Sequence, residues 1–265
     1  MSSGLSIDLS GRSAFVSGVT SGIGAGVAKT LATAGCNVAG CGRHSAESDA
    51  AQSFIESVEV ADRKAFYVQG DLTDRATPRS LITETMDRFG KLDILVSNAG
   101  RNIFRGAENC EEEAWDECLN LDLAAHWRLS REAKPYLEAS GDGVIVIIGS
   151  NHGWNTMPGC FPYNVAKAGL LGLVQSLAIE WGPKVRTVGI APGFIDTIGN
   201  QTWFDSFANA DAERARTEKL HPVRRLGTVE EIAATCAFVC SSFGGFMSGT
   251  TLCIDGGRSA LMQDA

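Results

Sequence analysis

The sequence predicts an α/β fold: a doubly wound parallel sheet of seven strands with helices on both faces, stacked as three layers, α/β/α. From residue 13 onward short apolar runs alternate with longer amphipathic stretches. Strand–helix alternation of this kind lays parallel strands side by side, with a helix in each crossover. The 265 residues suffice for one large domain with a substantial core. Thirty of them are glycine, which suits a fold with many tight strand-to-helix turns. No repeat, low-complexity tract or linker divides the chain, so a single domain is expected over residues 1–265.

The strands fall at 13–17, 37–41, 64–69, 92–97, 143–149, 184–191 and 250–254. Helices fall near 22–35, 46–60, 74–89, 111–138, 161–182 and 228–241. The first crossover reads S-G-V-T-S-G-I-G over 17–24, so Gly18, Gly22 and Gly24 lie between a strand and the helix they open. Glycines there let the backbone turn sharply and approach a pyrophosphate, whose charge a helix N-terminus favours. Thr20, Ser21 and Ile23 belong to the same expected phosphate site. Taken alone, the segment could also be a plain strand–helix turn.

The second strand ends Cys41-Gly42-Arg43-His44-Ser45. An acidic residue there would accept from an adenosine 2′-hydroxyl, whereas a guanidinium can clamp a 2′-phosphate. Arg43 and His44 therefore favour NADP(H). The alternatives for Arg43, a solvated surface position or stacking on adenine, would permit NAD. After the third strand, Asp71 and Leu72 follow Gly70. Asp71 could accept from the adenine amino group, or cap a helix beginning near residue 74. Asn98, Ala99 and Gly100 end the fourth strand, where small residues admit a flat cofactor and the Asn amide can tie neighbouring strands together.

The fifth strand delivers Ser150, and the helix that follows carries Tyr163 and Lys167 at i and i+4. That spacing puts phenol and ammonium on one helical face. The cation is expected to lower the Tyr163 pKa from about 10 toward the working pH. Ser150 could hold a substrate oxygen beside the phenol. The trio suits proton transfer to and from an alcohol or carbonyl oxygen. A Tyr and Lys four apart also occur on many unrelated helices, so the pair gains meaning from the dinucleotide signals around it.

Charged residues make up 20% of the chain, hydrophobic ones 44%, and the formal net charge is −8 with no clustered Lys/Arg stripe. Nucleic acid and anionic membrane surfaces are poor partners for such a chain. No apolar run is long enough to span a bilayer, no secretory pattern opens the sequence, and no metal site is expected. Eight cysteines at irregular spacings read as reduced, mostly buried thiols of a cytoplasmic protein.

With these segments placed, the chain resembles the short-chain dehydrogenase/reductase family in its common single-domain form, over nearly all of residues 9–257. The resemblance rests on S-G-V-T-S-G-I-G (17–24), G-D-L (70–72), S-N-A-G (97–100), Ser150 with Y-N-V-A-K (163–167), A-P-G-F-I-D-T (191–197) and I-D-G-G (254–257). It implies a Rossmann-like fold and an oxidoreductase that moves a hydride between NADP(H) and a secondary alcohol or carbonyl. Tyr163 would be the general acid/base, Ser150 would orient the substrate oxygen, and Lys167 would bind the nicotinamide ribose. Pro192, Gly193, Ile195 and Thr197 would border the nicotinamide, and residues 196–222 would form a flap over the substrate. Such proteins are commonly homotetramers, with a homodimer the smaller alternative.

Two departures stand out. Ser17 replaces the usual Thr and keeps its hydroxyl. Asp122 stands where the family has an Asn that completes a water-linked proton relay. Asp can act there through its main-chain carbonyl, but an ionised carboxylate cannot donate as an amide does. Asn120, two residues away, should point elsewhere.

Expected substrate contacts are Ser150, His152, Tyr163, Phe194 and Trp203, with Arg101, Asn102, Arg105, Asn151, Trp154, Asn155, Met157, Phe161, Phe204 and Phe207 as further lining candidates. The polar members fit a sugar, polyol or hydroxy acid; the aromatic ones fit a ring ketone or steroid-like alcohol. His152 could be a second acid/base or a ring packed on the loop, and Arg101 could meet a substrate anion or form a surface salt bridge. The competing functions are an NAD-linked sugar or polyol dehydrogenase and, more remotely, a non-catalytic dinucleotide-binding sensor, which would typically lack the Tyr or the Lys.

Overall fold

The computed structural model describes residues 6–261. The two ends of the expected domain, 1–5 and 262–265, lie outside the described residues, as does most of the stretch judged free of a secretory pattern. Seven strands form one sheet: β1 (Ser13–Ser17), β2 (Asn37–Gly42), β3 (Ala65–Gln69), β4 (Ile94–Ser97), β5 (Gly143–Ile148), β6 (Val185–Pro192) and β7 (Thr251–Ile254). Their order is β3-β2-β1-β4-β5-β6-β7, and every pairing is parallel. The winding reverses between β1 and β4, and in sheets of this kind ligands bind beyond the carboxyl ends of the strands at that switch point.

The strands are apolar on both sides because both sides are covered. Along β1, Ala14 and Val16 join one buried cluster and Phe15 the other. On the first face the strands meet α1 (Gly22–Thr33), α2 (Asp49–Glu59) and α9 (Val229–Cys240) through Val27, Leu31, Phe54, Ile232 and Cys236. On the second they meet α3 (Thr77–Phe89), α5 (Ala125–Ser140) and α6 (Tyr163–Trp181) through Leu81, Leu129, Leu137, Leu170 and Val174. Gly26 lets α1 and α9 close up, since a Cβ there would lie 2.1 Å from a Val229 methyl. At the amino ends of the strands Arg12 acts as a staple, donating to the carbonyls of Cys240 (2.5 Å) and Asp142 (2.6 Å). Among the described residues no helix is long and apolar enough to cross a membrane, and all eight cysteines are free thiols, six of them buried.

Four expected elements are redrawn. The helix expected over 111–138 is α4 (Glu112–Leu119) and α5, joined by a π-helical turn at Asn120–Ala124. There the Ala125 N–H reaches back five residues to the Asn120 carbonyl. The helix expected from 74 begins at Thr77, with Pro78 in its first turn. The one expected from 161 begins at Tyr163 itself. The segment that interrupts the last crossover folds as α7 (Ile198–Asp205) and α8 (Ala210–Lys219), which Arg214 ties down by pairing with Asp196 and Glu218.

Candidate active site

The glycine loop is built around backbone contacts that side chains would obstruct. Gly18 and Gly22 have φ of +75° and +56°, a region costly for other residues. Gly24 has ordinary dihedrals, but a Cβ there would lie 2.1 Å from the Gly18 carbonyl oxygen. The loop thus folds back on itself and opens α1 at Gly22 behind Ser21. Ser21 makes no side-chain cap and the first turn holds no acid, so this helix N-terminus has unfilled capacity for an anion. Thr20 lies against Gly42 at the end of β2, and Ile23 packs inward on the core.

The switch point is closed by one hydroxyl. Ser17 Oγ accepts from the main-chain N–H groups of Asn98 (2.9 Å) and Ala99 (3.0 Å), while Asn98 Nδ2 donates to the Ser17 carbonyl (2.9 Å). The amide thus ties β1 to β4 as expected, and the substitution of Ser for Thr preserves the bond.

At the far end of the cleft, Arg43 and His44 leave β2 with their main chain pinned and their side chains exposed. Gln69 donates to the Arg43 carbonyl (3.0 Å) and Tyr67 to that of His44 (2.8 Å). Among the described residues Arg43 makes no ion pair. Asp71 is not a helix cap. Its Oδ1 accepts from the N–H and hydroxyl of Thr73 (2.9 and 2.8 Å), and the Thr73 N–H is the main cause of its lowered pKa. Leu72 beside it is buried. On the opposite wall, Gly193 donates to the Ile254 carbonyl (2.9 Å), Ile195 is buried, and Thr197 caps α7, its methyl 3.6 Å from where a Cβ on Gly22 would stand. Pro192 ends β6 directly beside Gly193.

Tyr163, Lys167 and Ser150 converge as the spacing implied, and all three are buried. Lys167 Nζ lies 5.3 Å from the Tyr163 ring centre. The π turn brings in Asp122, fully buried, with Oδ1 3.2 Å from Lys167 Nζ and accepting from the Arg101 N–H (3.1 Å). Gly100 makes room for the pair, because a Cβ there would lie 2.5 Å from Asp122 Oδ1. Asn120 indeed points away, donating to the Thr73 carbonyl (2.7 Å) and accepting from Arg128.

The electrostatics correct one expectation. Burial, the largest influence on Tyr163, raises its phenol above the ordinary value; Lys167 and a hydrogen bond with Ser150 pull it down without offsetting burial. Burial also opposes the charge on Lys167, but Tyr163 and Asp122 outweigh it and leave the ammonium more firmly protonated than usual.

The substrate side sorts the lining candidates. His152 Nδ1 bonds the Thr156 hydroxyl (3.0 Å), and its ring lies edge-on to Tyr163 (5.8 Å) and near Phe104 (6.1 Å). Burial and then Arg258 lower its pKa, so the ring is neutral and packed. Phe104 stands edge-on to Tyr163 at 5.2 Å. Phe194, Trp203, Phe204 and Phe207 form a contiguous aromatic cluster. The amides of Asn151 and Asn155 instead reach to Ser259, and Arg101 pairs with Glu117. These three polar candidates are engaged in structural bonds.

Sequence reasoning passed over Phe104 and His126. His126 is fully buried beneath the site, with Nδ1 2.8 Å from Ser97 Oγ; burial and then Lys167 hold its pKa down to about 3. Its place four residues after Asp122 was the available signal.

A phosphate-ready helix N-terminus at the switch point of a parallel sheet, set opposite a buried phenol–ammonium pair, defines the class of dinucleotide-dependent oxidoreductases. Comparison with known proteins narrows the class. A family model described as Enoyl-(Acyl carrier protein) reductase matches residues 18–259. Dehydrogenase/reductase SDR family member 4 of Homo sapiens is 33% identical, covering 94% of this chain and 88% of its own length. 3beta-hydroxysteroid dehydrogenase 1 of Eggerthella lenta is 31% identical, covering 95% of each. The solved structure of a short-chain dehydrogenase/reductase from Serratia marcescens superposes with a TM-score of 0.87 at 31% identity, covering 95% of this chain and 99% of that one. The chain belongs to the short-chain dehydrogenase/reductase family, whose oxidoreductases use NAD(P).

Proposed function

We propose that this protein is an NADP(H)-dependent oxidoreductase that interconverts a secondary alcohol and a carbonyl on a small molecule, with Tyr163 as general acid/base. The convergence of Tyr163, Lys167 and Ser150 beyond the carboxyl ends of the strands carries the proposal. The chain fits a dinucleotide: the positive-φ glycines, the side-chain-free approach at Gly24 and the open N-terminus of α1 make a cradle for a pyrophosphate. Gly18, Thr20, Ser21, Gly22, Ile23 and Gly24 would hold that phosphate pair. Asp71, Leu72, Asn98, Ala99 and Gly100 would line the adenosine side, and Pro192, Gly193, Ile195 and Thr197 the nicotinamide. When bound, the nicotinamide donates or accepts the hydride.

The protein's own residues manage the oxygen and its proton. Ser150 holds the substrate oxygen, Tyr163 Oη gives the proton during reduction or takes it during oxidation, and Lys167 stabilises the phenolate and binds the ribose. Asp122 joins the proton relay through its main-chain carbonyl. The acid/base step contributes on the order of 10²–10⁴-fold.

The exposed Arg43, which makes no ion pair among the described residues, supports NADP(H) through a clamp on the 2′-phosphate. The aromatic wall of Phe104, Phe194 and Trp203, with Asn151, Asn155 and Arg101 engaged elsewhere, supports an apolar ring alcohol or ketone over a sugar or polyol. A relative that is a hydroxysteroid dehydrogenase agrees with that choice.

A panel of cyclic ketones, steroid-like alcohols, sugars and polyols, followed by nicotinamide absorbance with each dinucleotide, tests the reading. Turnover of ring substrates with NADP(H) is expected, and Arg43→Ala should weaken NADP(H) binding about tenfold while leaving NAD nearly unchanged. Preferential turnover of polyols with NAD would establish the NAD-linked alternative. Dinucleotide binding without turnover of any substrate would indicate the sensor.

A further inference from the structure

We propose that Asp122 is a positioning residue that holds Lys167 in a closed ion pair, withdraws part of its charge from Tyr163, and thereby moves alcohol oxidation to higher pH while leaving carbonyl reduction active at neutral pH. The proposal rests on the reading of Tyr163 as the acid/base group and adds the pH window in which each direction runs.

The geometry supplies the argument. Both partners are buried, the contact is 3.2 Å, and Gly100 packs so closely that any side chain there would collide with it. The carboxylate is fixed from a second side by the Arg101 N–H. Coulomb attraction is strong where water is excluded, so the pair behaves at a distance more like a dipole than a free cation. A lone ammonium beside a phenol would favour phenolate, and a carboxylate bound to that ammonium works against it.

Among the described residues no other charge near the phenol takes over this role. From the turn after β5, His152 is held neutral and Ser150 is a hydroxyl; from α4, burial pushes the Cys118 thiol up to about 12, so it too is neutral. From the loop after β4, the apolar side chains of Phe104 and Ile103 pack with Tyr163, while the Arg101 guanidinium is drawn off to Glu117. From α5, His126 is neutral below Lys167. Lys167 and Asp122 are therefore the two charges that set the phenol. Their combined influence leaves burial in control, in agreement with its raised pKa.

A protonated phenol is the form needed to deliver a proton to a carbonyl oxygen, and the phenolate is the form needed to remove one from an alcohol. Asp122→Asn deletes the negative charge but keeps an amide oxygen for the Arg101 N–H. With saturating oxidised dinucleotide, the rising limb of kcat/KM for alcohol oxidation should move to lower pH by about one unit or more in Asp122→Asn, the scale of a single close charge. Any influence of the dinucleotide on the phenol is common to both proteins, so the displacement isolates Asp122. An unmoved limb with activity lowered evenly across pH would mean that Asp122 only packs the turn, and would overturn the proposal.

A second measurement needs no turnover. The near-ultraviolet titration of wild type minus Tyr163→Phe isolates one of the chain's three tyrosines. Repeated in the Asp122→Asn background, that difference titration should move to lower pH by about one unit, and an unmoved titration would overturn the proposal. Retention of full activity by Tyr163→Phe would sink the underlying reading instead, so the two failures are told apart.

Discussion

The two ends of the cleft are built by opposite means. The dinucleotide end is made of backbone: positive-φ glycines, a loop that touches itself at Gly24, and a helix N-terminus with no side-chain cap. The opposite end is made of buried side chains whose charges answer one another, Tyr163, Lys167 and Asp122. A backbone site fails when atoms are added, whereas a side-chain site fails when a functional group is removed. The contrast separates binding from chemistry.

The sharpest way to break the comparison is Tyr163→Phe. It deletes one oxygen and should cost about 10²–10⁴-fold in turnover, with dinucleotide affinity, read by titrating tryptophan fluorescence, nearly unchanged. A parallel loss of affinity would show that the two ends are not independent. Adding one carbon at the other end, Gly24→Ala, should do the converse. With the Gly18 carbonyl 2.1 Å from the new Cβ, the loop must shift, and affinity should fall about tenfold or more while any saturated turnover persists. The smallest effect belongs to a helix start that is closed rather than open. Helix α9 carries a capping box between Thr228 and Glu231, so Thr228→Ala should cost about 1 kcal/mol in denaturant unfolding and leave binding untouched.

The same division explains what could be read before the fold was known. Gly18, Gly22 and Gly24 announce themselves because a backbone site needs a particular residue at a particular place in the chain. Tyr163 and Lys167 were legible through the helical repeat. The parallel sheet with helices on both faces followed from strand–helix alternation. The alliance of Asp122 with Lys167 was not legible, since the two lie on different helices and meet only through the π turn; neither was the balance that leaves the Tyr163 phenol raised, which is set by burial. Nor could the sequence show that Asn151 and Asn155 turn toward Ser259, which removes them from the pocket. Asp71 left two readings open because Asp suits both a helix cap and the turn it makes with Thr73, and the helix start at Thr77 removes only the cap.

The widened turn at Asn120–Ala124 has a consequence for how this chain can vary. One residue of regular helix is about 100° of rotation, so an extra residue lets a single rod present two faces that a uniform spiral would keep apart. Leu129 and Leu137 lie on the sheet while Asp122 looks into the cleft. Deleting one residue within that turn would swing one face off its target, whichever residue were removed. Length at this point is thus constrained as tightly as composition, and insertions or deletions should be accepted only in the loops on either side.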